Sequence, residues 1–277
     1  MNNSINIDKY KSLCDSIDRD EILRNEKDYQ LLYHFSSSRG NLYDWYSFKK
    51  DSKLLEIGAE CGALTEYFGN KVAEVTAIES DPQMAEINKY RNRNSNNIEV
   101  ICSDFGAFDT ENRYDYIVLT GTLEVAYRYF NNENASKEIL KKAKKLLSDD
   151  GIVLVAVTNR MGIRYLSGEV DVRMTRPFEG LSNNSDEVTL YTRHSIKKLF
   201  QETEFGIIEE YYPLPDYRFT SVIYSSDYLP STGDYSVSRY SFSLDSFKVI
   251  DESMLANQLI EDGEFQNYAD AYLFLLK

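Results

Sequence analysis

The chain has 277 residues, of which 42% are hydrophobic and 27% are charged, and its formal charge is −14. This length accommodates one large domain, or a core domain with a cap, and the composition is that of an ordinary globular protein. The negative charge disfavours DNA and RNA as partners, because proteins that bind the phosphate backbone normally present a basic face. We therefore expect no nucleic-acid partner.

Two further classes of protein are disfavoured by local sequence features. No stretch approaches the roughly 18 apolar residues of a membrane span, and the polar N-terminus lacks the apolar core of a signal peptide. We expect no membrane insertion and a cytoplasmic location. The cysteines Cys14, Cys61 and Cys102 are odd in number and lack the spacing of metal ligands. Neither a disulfide framework nor a bound metal is expected.

The hydrophobic pattern predicts a helical segment at residues 1–50 and then alternating strands and helices. The predicted strands are Lys53–Ile57, Val72–Ile78, Ile98–Ile101, Tyr114–Leu119, Ile152–Val157, Phe205–Tyr211 and Ala271–Leu276. The predicted helices are Leu64–Phe68, Gln83–Asn92 and Ala135–Leu147. Alternation of this kind predicts an α/β, Rossmann-like fold whose seven-stranded, mostly parallel sheet carries helices on both faces. Residues 159–185 and 213–263 show no clear period and are interpreted as insertions at the carboxyl ends of the strands.

The first strand runs into a glycine turn that opens a helix. Glycines at Gly58 and Gly62 let a ligand approach the main chain, and amides at such a turn favour an anion. The next strand ends at Glu79, 21 positions after Gly58, where a carboxylate can accept hydrogen bonds from ribose hydroxyls. Glu60 and Ala63 occupy two positions where the nicotinamide-dinucleotide fingerprint has glycine, which argues against a dinucleotide.

The remaining pattern, Glu-x-Gly-x-x-x-Gly at residues 56–62, resembles motif I of the class I S-adenosylmethionine-dependent methyltransferases. The resemblance implies S-adenosyl-L-methionine as the cofactor. It implies an adenine contact for Asp104, which follows the third strand, and packing of Phe105 on the ring. The alternative for Asp104 is a cap on the short segment that follows. The predicted cofactor-binding residues are Gly58, Ala59, Glu60, Gly62, Glu79, Ser80, Asp104, Phe105 and Thr120.

Several short segments together resemble methyltransferases that are encoded with, or fused to, bacterial surface-polysaccharide glycosyltransferases. They are residues 33–36 with Arg39 and Asn41, Leu123-Glu124, residues 159–165, 211–217 and 227–230. This resemblance implies a glycan, a glycan precursor or another small hydroxylated acceptor, and a possible glycosyltransferase partner. We expect three parts of the chain: an N-terminal helical lid or extension at 1–50, a Rossmann-like core that binds S-adenosylmethionine at 51–160, and acceptor-binding insertions with the last strands of the same sheet at 161–277.

Methyl transfer from a sulfonium requires mainly alignment and exclusion of water, and a base helps when the acceptor is a hydroxyl. The candidates for that base are Glu124, which follows the fourth strand, and His34 in the N-terminal segment. The candidate acceptor-binding residues are Tyr212, Asp216 and Tyr217, because flat amphipathic rings beside a carboxylate suit a polyhydroxylated ligand.

Glu60 is the departure from the family motif, which usually has glycine at this position. Its charge would repel the carboxylate of the cofactor or attract its ammonium and sulfonium groups. Two interpretations stay open. The chain is an active O-methyltransferase, or it is a non-catalytic methyltransferase-like module in a polysaccharide-assembly complex. Aminopropyl transfer from the decarboxylated cofactor is disfavoured, since no obvious polyamine motif follows the fourth strand.

Overall fold

A computed structural model describes residues 6–26, 28–182, 188–235 and 248–277. The chain divides into two compact units. The first comprises Met1–Leu119 and Ala143–Ile152, and the second comprises Thr120–Lys142 and Val153–Lys277.

The first unit begins with a helical segment that packs against the glycine turn. Its helices are α1 (Ile7–Asp15), α2 (Arg19–Arg24) and α3 (Tyr29–Phe35), followed by a 3-10 helix at Ser37–Leu42. Apolar side chains of α1, α2 and α3, including Tyr10, Leu23 and Phe35, form one cluster with Cys61 of the turn and Ile87. Burial of these side chains holds the N-terminal segment against the turn.

The sheet of the first unit is parallel. Its strands are β1 (Lys53–Ile57), β2 (Glu74–Glu79), β3 (Ile98–Cys102) and β4 (Tyr114–Thr120), in the order β3-β2-β1-β4. The helices α4 (Ala63–Gly69) and α5 (Pro82–Arg91) follow β1 and β2. In this register Ile57 lies opposite Ile78, so the turns after β1 and β2 begin side by side.

The second unit starts with a 3-10 helix at Thr122–Arg128 and contains strands of both directions. Its strands are β5 (Leu147–Thr158), β6 (Ile207–Leu214), β7 (Val222–Ser225) and β8 (Ala271–Leu276), in the order β5-β8-β6-β7. Of β5, only the residues from Val153 onward belong to this unit. β8 is antiparallel to both β5 and β6, so those two strands share one direction. Its helices include α6 (Ala135–Leu146), α7 (Ile163–Leu166), α8 (Glu179–Ser182), α9 (Arg193–Glu202), α10 (Glu252–Glu261) and α11 (Phe265–Tyr268). Of α6, the residues up to Lys142 belong to this unit.

The predicted fold class is confirmed, with eight strands in the described part of the chain instead of seven. The additional strand is β7, a four-residue strand that pairs antiparallel with β6. So short a segment has too few residues to show an alternating pattern. Residues 183–185 of the first predicted insertion and 236–247 of the second lie outside the described residues. Among the described helices, none has the length and apolarity that crossing a membrane requires.

Asn159 joins the end of β5 to the loop before β8. Its buried side-chain nitrogen donates to the carbonyl of Ala269 at 2.8 Å and to Tyr272 Oη at 2.8 Å. Its Oδ1 accepts the Met161 amide at 3.0 Å. The side chain therefore satisfies main-chain groups that would otherwise be buried without partners.

We predict that Asn159→Ala lowers the free energy of unfolding by about 2–4 kcal/mol, because several buried polar groups lose their partner together. Urea unfolding followed by circular dichroism measures this change. The exposed Asn96→Ala serves as the control and is expected to change stability by less than about 0.5 kcal/mol. Equal effects of the two substitutions would contradict this account of Asn159.

Candidate active site

The turn after β1 has a backbone that is fixed by its own hydrogen bonds. The amides of Gly58 and Ala59 both donate to the carbonyl of Ile78, at 2.9 and 3.0 Å, and the Gly62 amide donates to Ala59. Gly58 and Gly62 have φ angles of 82° and 83°, a region that favours glycine. A Cβ on Gly62 would also lie 2.4 Å from Asn88 Oδ1. The sequence predicted that these amides face an anion, but the structure uses most of them to shape the turn.

Glu79 links the turn after β1 to the turn after β2. Its Oε2 accepts the Glu60 amide at 2.8 Å, and its Oε1 accepts the Asp81 amide at 2.8 Å. The side chain is buried, with 4% of its surface exposed. Glu79 is the last residue of β2, as its spacing from Gly58 predicted, and its hydrogen bond fixes the position of Glu60.

Three carboxylates surround this turn: Glu56, Glu60 and Glu79. Glu56 is buried and accepts a hydrogen bond from Thr65 Oγ1 at 2.5 Å. Burial, with a smaller contribution from the charges of Glu60 and Glu79, raises the pKa of Glu56 to about 8, and the hydrogen bond from Thr65 partly opposes this shift. The Glu56 carboxyl is therefore mainly protonated at neutral pH.

His34 and Arg39 of the N-terminal segment lie near these carboxylates. His34 Nδ1 is 3.9 Å from Glu60 Oε2. Burial, with the charges of Arg39 and Arg91, lowers the pKa of His34 to about 3, so its imidazole is neutral. Burial lowers the pKa of Arg39, but electrostatic contributions from Tyr33 and Glu60 outweigh it and raise that pKa above its ordinary value. The charge of Glu60 therefore acts on a buried guanidinium.

The other predicted cofactor residues follow the ends of β2, β3 and β4. Ser80 is half-buried directly after β2, and Thr120 is the half-buried last residue of β4. The Asp104 side chain is exposed. The amides of Ala107 and Phe108 donate hydrogen bonds to the main-chain oxygen of Asp104. Phe105 is buried and stacks with Phe108 at a ring-centroid distance of 6.5 Å.

The second unit contains a buried charge cluster around Glu124, which has no solvent exposure. Glu124 Oε1 accepts the Thr158 amide at 2.5 Å, and Oε2 accepts Tyr217 Oη at 2.8 Å and a guanidinium N–H of Arg173. Arg218 Nη2 lies 3.9 Å from the same Oε2. Of the predicted acceptor residues, Asp216 and Tyr217 belong to this cluster.

Two copies of an Asp-x-Arg turn build the cluster. In each copy the arginine amide donates to the aspartate, at 3.0 Å for Arg173 to Asp171 and 2.8 Å for Arg218 to Asp216. Both guanidinium groups reach Thr158 Oγ1, at 3.2 and 3.3 Å. Although burial raises the pKa of Asp171, the two arginines outweigh that effect and hold it well below its usual range. The aspartate is therefore ionised at any ordinary pH.

Tyr212 lies in a different environment from Asp216 and Tyr217. It is buried, and its ring makes edge contacts with Phe265 at 5.9 Å and Tyr272 at 6.1 Å. Its hydroxyl lies 3.3 Å from Ser226 Oγ. These contacts are those of a packed aromatic residue.

Sequence reasoning missed Arg173, Arg218 and Asp171 as members of the cluster, and it assigned Arg39 no role at the turn. One usable signal was the repetition of Asp-x-Arg at 171–173 and 216–218. Arg39 gave no comparable signal, because its position near Glu60 depends on how the N-terminal helices pack. Among the described residues, no group of three or more His, Cys, Asp or Glu side chains is arranged to hold a metal ion.

We predict that Glu56 makes stability depend on pH. Its folded-state pKa lies above its ordinary value of 4.5, so the stabilisation is complete below that value and is lost as pH rises through about 8. Glu56→Gln should remove most of this dependence, which amounts to roughly 3–5 kcal/mol between pH 5 and 9. Thermal unfolding across this range is the measurement, with the exposed Glu99→Gln as the control. Parallel curves for the wild type and Glu56→Gln would contradict the prediction.

Comparison with known proteins identifies the family to which the chain belongs. A family model described as a methyltransferase domain matches residues 32–210, and a search of curated proteins finds no match. A solved S-adenosylmethionine-dependent methyltransferase from Clostridium acetobutylicum ATCC 824 is 12% identical, with a TM-score of 0.51, over 93% of this chain and 95% of that chain. The CcbJ methyltransferase from Streptomyces caelestis is 13% identical, with a TM-score of 0.54, over 87% and 89%.

The N-methyltransferase NodS from Bradyrhizobium japonicum WM9 is 14% identical, with a TM-score of 0.50, over 86% of this chain and 92% of that chain. At such identities these structures show a shared fold alone. The family model, in contrast, covers more than half of the chain. The chain therefore belongs to the methyltransferase domain family, as an enzyme that uses S-adenosylmethionine.

Proposed function

We propose that this enzyme methylates a hydroxyl group of a glycan, a sugar precursor or another small hydroxylated acceptor. The observation that carries the proposal is the position of the Tyr217 hydroxyl, which is held by Glu124 directly over the backbone of Gly121. A Cβ on Gly121 would lie only 2.4 Å from Tyr217 Oη. Gly121 follows the last residue of β4, and ligands of open α/β sheets bind beyond the carboxyl ends of the strands.

The cofactor side of the proposal rests on the first unit. The backbone at Gly58, Ala59 and Gly62 would lie along the cofactor, and Glu79 would accept hydrogen bonds from its ribose hydroxyls. The exposed Asp104 carboxylate would accept from the adenine amino group, with Phe105 beneath the ring, while Ser80 would line the pocket. Thr120, the first residue of the second unit, stays a predicted cofactor contact. When bound, S-adenosylmethionine supplies a methyl group that is already activated by the sulfonium charge.

Tyr217 and Glu124 supply a route for the proton that methylation of a hydroxyl releases. Glu124 is completely buried, and Tyr217, which is 2% exposed, donates a hydrogen bond to it, so in this proposal the acceptor contacts Tyr217 Oη. When the acceptor hydroxyl is methylated, Tyr217 Oη would take up the proton that it releases. The Tyr217 proton passes at the same time to Glu124 Oε2. Arg173 keeps Glu124 in place for this transfer.

His34 is the second candidate base, and its surroundings favour a role at the cofactor instead. It lies in the first unit beside Glu60, and a pKa of about 3 makes it a weak proton acceptor. Tyr212 has a packing environment, so we assign the acceptor contacts to Asp216 and Tyr217, with Tyr212 supporting them from β6.

The glycan context of the proposal comes from the sequence segments that resemble polysaccharide-associated methyltransferases. Two of these segments contribute to the charge cluster, because Glu124 and the pair Asp216-Tyr217 belong to them. We propose that the enzyme acts in the cytoplasm during assembly of a surface polysaccharide and that a glycosyltransferase is its partner. The charge of −14 agrees with an acceptor other than nucleic acid.

A screen of nucleotide sugars and short oligosaccharides with S-adenosylmethionine tests the acceptor class. We expect mass spectrometry to detect a product that has gained one methyl group on oxygen. Transfer only to amines, with no hydroxylated sugar accepted, would overturn the proposal of O-methylation.

We predict that Tyr217→Phe lowers kcat by about 10²-fold or more, because the proton relay is broken. The affinity for S-adenosylhomocysteine should stay within about twofold of the wild type, since Glu79 and its turn are untouched. Steady-state kinetics and calorimetry measure the two quantities. Tyr224→Phe, a buried tyrosine with ring contacts to Tyr228 and Phe265, is the matched control and should leave kcat unchanged. An unchanged kcat for Tyr217→Phe would refute the relay.

A further inference from the structure

Two buried side chains of the N-terminal segment have a polar atom without a hydrogen-bond partner. Within the described part of the chain, four buried side-chain atoms have no hydrogen-bond partner: Nε of Arg19, Nε2 of His34, Nε of Arg39 and Oδ1 of Asn92. Of these residues, His34 and Arg39 are the two in the N-terminal segment whose whole side chain is buried. His34 has 3% of its surface exposed and Arg39 has 4%. A buried donor without a partner costs free energy, and such atoms in a folded protein call for a specific explanation.

Both side chains are held near the glycine turn by packing. The Arg39 guanidinium stacks 3.7 Å from the ring centroid of Tyr33, and its Nη1 donates to the Tyr33 carbonyl at 3.2 Å. The next residue, Gly40, lies so close to α4 that a Cβ there would be 2.5 Å from the Tyr67 ring. Arg39 is therefore a fixed cation, with a planar face on Tyr33 and an Nε donor left for a ligand.

The carboxylates that Arg39 influences belong to the same turn. Glu60 contributes to its electrostatic energy, and Arg39 in turn lowers the pKa of Glu56. His34 Nδ1 lies 3.9 Å from Glu60 Oε2, which places Glu60 toward the N-terminal segment. One buried cation and one partly exposed carboxylate thus lie beside the backbone along which the cofactor is expected.

The amides of the turn are poorly placed to bind a second anion. Those of Gly58, Ala59, Glu60 and Gly62 donate to acceptors within the protein. A ligand carboxylate at this turn therefore needs another donor, and a guanidinium is the group best suited to it. A ligand ammonium needs an acceptor, which Glu60 supplies.

We propose that Arg39 binds the α-carboxylate and Glu60 the α-ammonium of the cofactor's amino-acid part, so that the pair recognises an α-amino-acid zwitterion. The proposal rests on the cofactor of the family and is independent of the acceptor. It gives Glu60 a function at a position where the family usually has glycine. Glu60 adopts φ +47° there, and the strain of a non-glycine residue in this region is offset by its contact with the ligand.

Calorimetry with two ligands tests this pairing. S-adenosylhomocysteine carries the zwitterion, whereas 5′-methylthioadenosine has the same nucleoside without the amino-acid part. Arg39→Met and Glu60→Gln should each weaken S-adenosylhomocysteine binding by roughly 10- to 100-fold and leave 5′-methylthioadenosine binding within about twofold. Arg93→Met, which removes a partly exposed arginine of another ion pair, is the control and should change neither affinity.

The second ligand also reports whether the turn is folded in each variant. If Arg39→Met binds neither ligand, Arg39→Lys distinguishes a structural role of Arg39 from a role in ligand binding. Recovered binding of 5′-methylthioadenosine in Arg39→Lys, with weakened binding of S-adenosylhomocysteine, supports the proposal. Loss of both ligands in Arg39→Lys as well means that Arg39 is structural and overturns it. Unchanged S-adenosylhomocysteine affinity in Arg39→Met and Glu60→Gln also overturns it. A wild-type protein that binds neither ligand would instead reject the cofactor assignment.

Discussion

The hydrogen bonds of the Glu79 carboxylate are the constraint on which the cofactor site depends. One side chain at the end of β2 accepts the amide of Glu60 after β1 and the amide of Asp81 after its own strand. Parallel pairing of β1 and β2 brings the two turns side by side, and Glu79 then fixes their relative position. A single buried carboxylate thus shapes both turns.

Both units contain buried acidic side chains, which are stabilised by protonation in the first unit and by ion pairs in the second. In the first unit, burial keeps Glu56 mainly protonated at neutral pH, with its pKa raised to about 8. In the second unit, Arg173 and Arg218 keep Asp171 ionised by direct ion pairs. The first solution leaves the Glu56 carboxyl mainly uncharged. The second builds a rigid polar cluster, because each partner of a buried ion pair would be costly to leave alone.

Much of the fold and part of the site were predictable from sequence. Apolar strands with the glycine turn between them predicted β1, β2 and the position of Glu79, because these signals are local. β7 was missed because four residues carry no usable period. The role of Arg39 depends on the packing of helices against Cys61 and Ile87, which no local pattern reveals. The charge cluster joins residues from 124 to 218, although its Asp-x-Arg repeat was visible.

A crystal structure of the protein with S-adenosylhomocysteine tests the central claim most directly. We expect ribose hydroxyls within hydrogen-bond distance of Glu79, and an amino-acid part whose carboxylate binds Arg39 and whose ammonium binds Glu60. The hydrogen bonds from the backbone amides of Glu60 and Asp81 to Glu79 should persist. A ligand whose ribose lies away from Glu79 would contradict this arrangement. So would a Glu60 side chain that blocks the turn, with no ligand bound there.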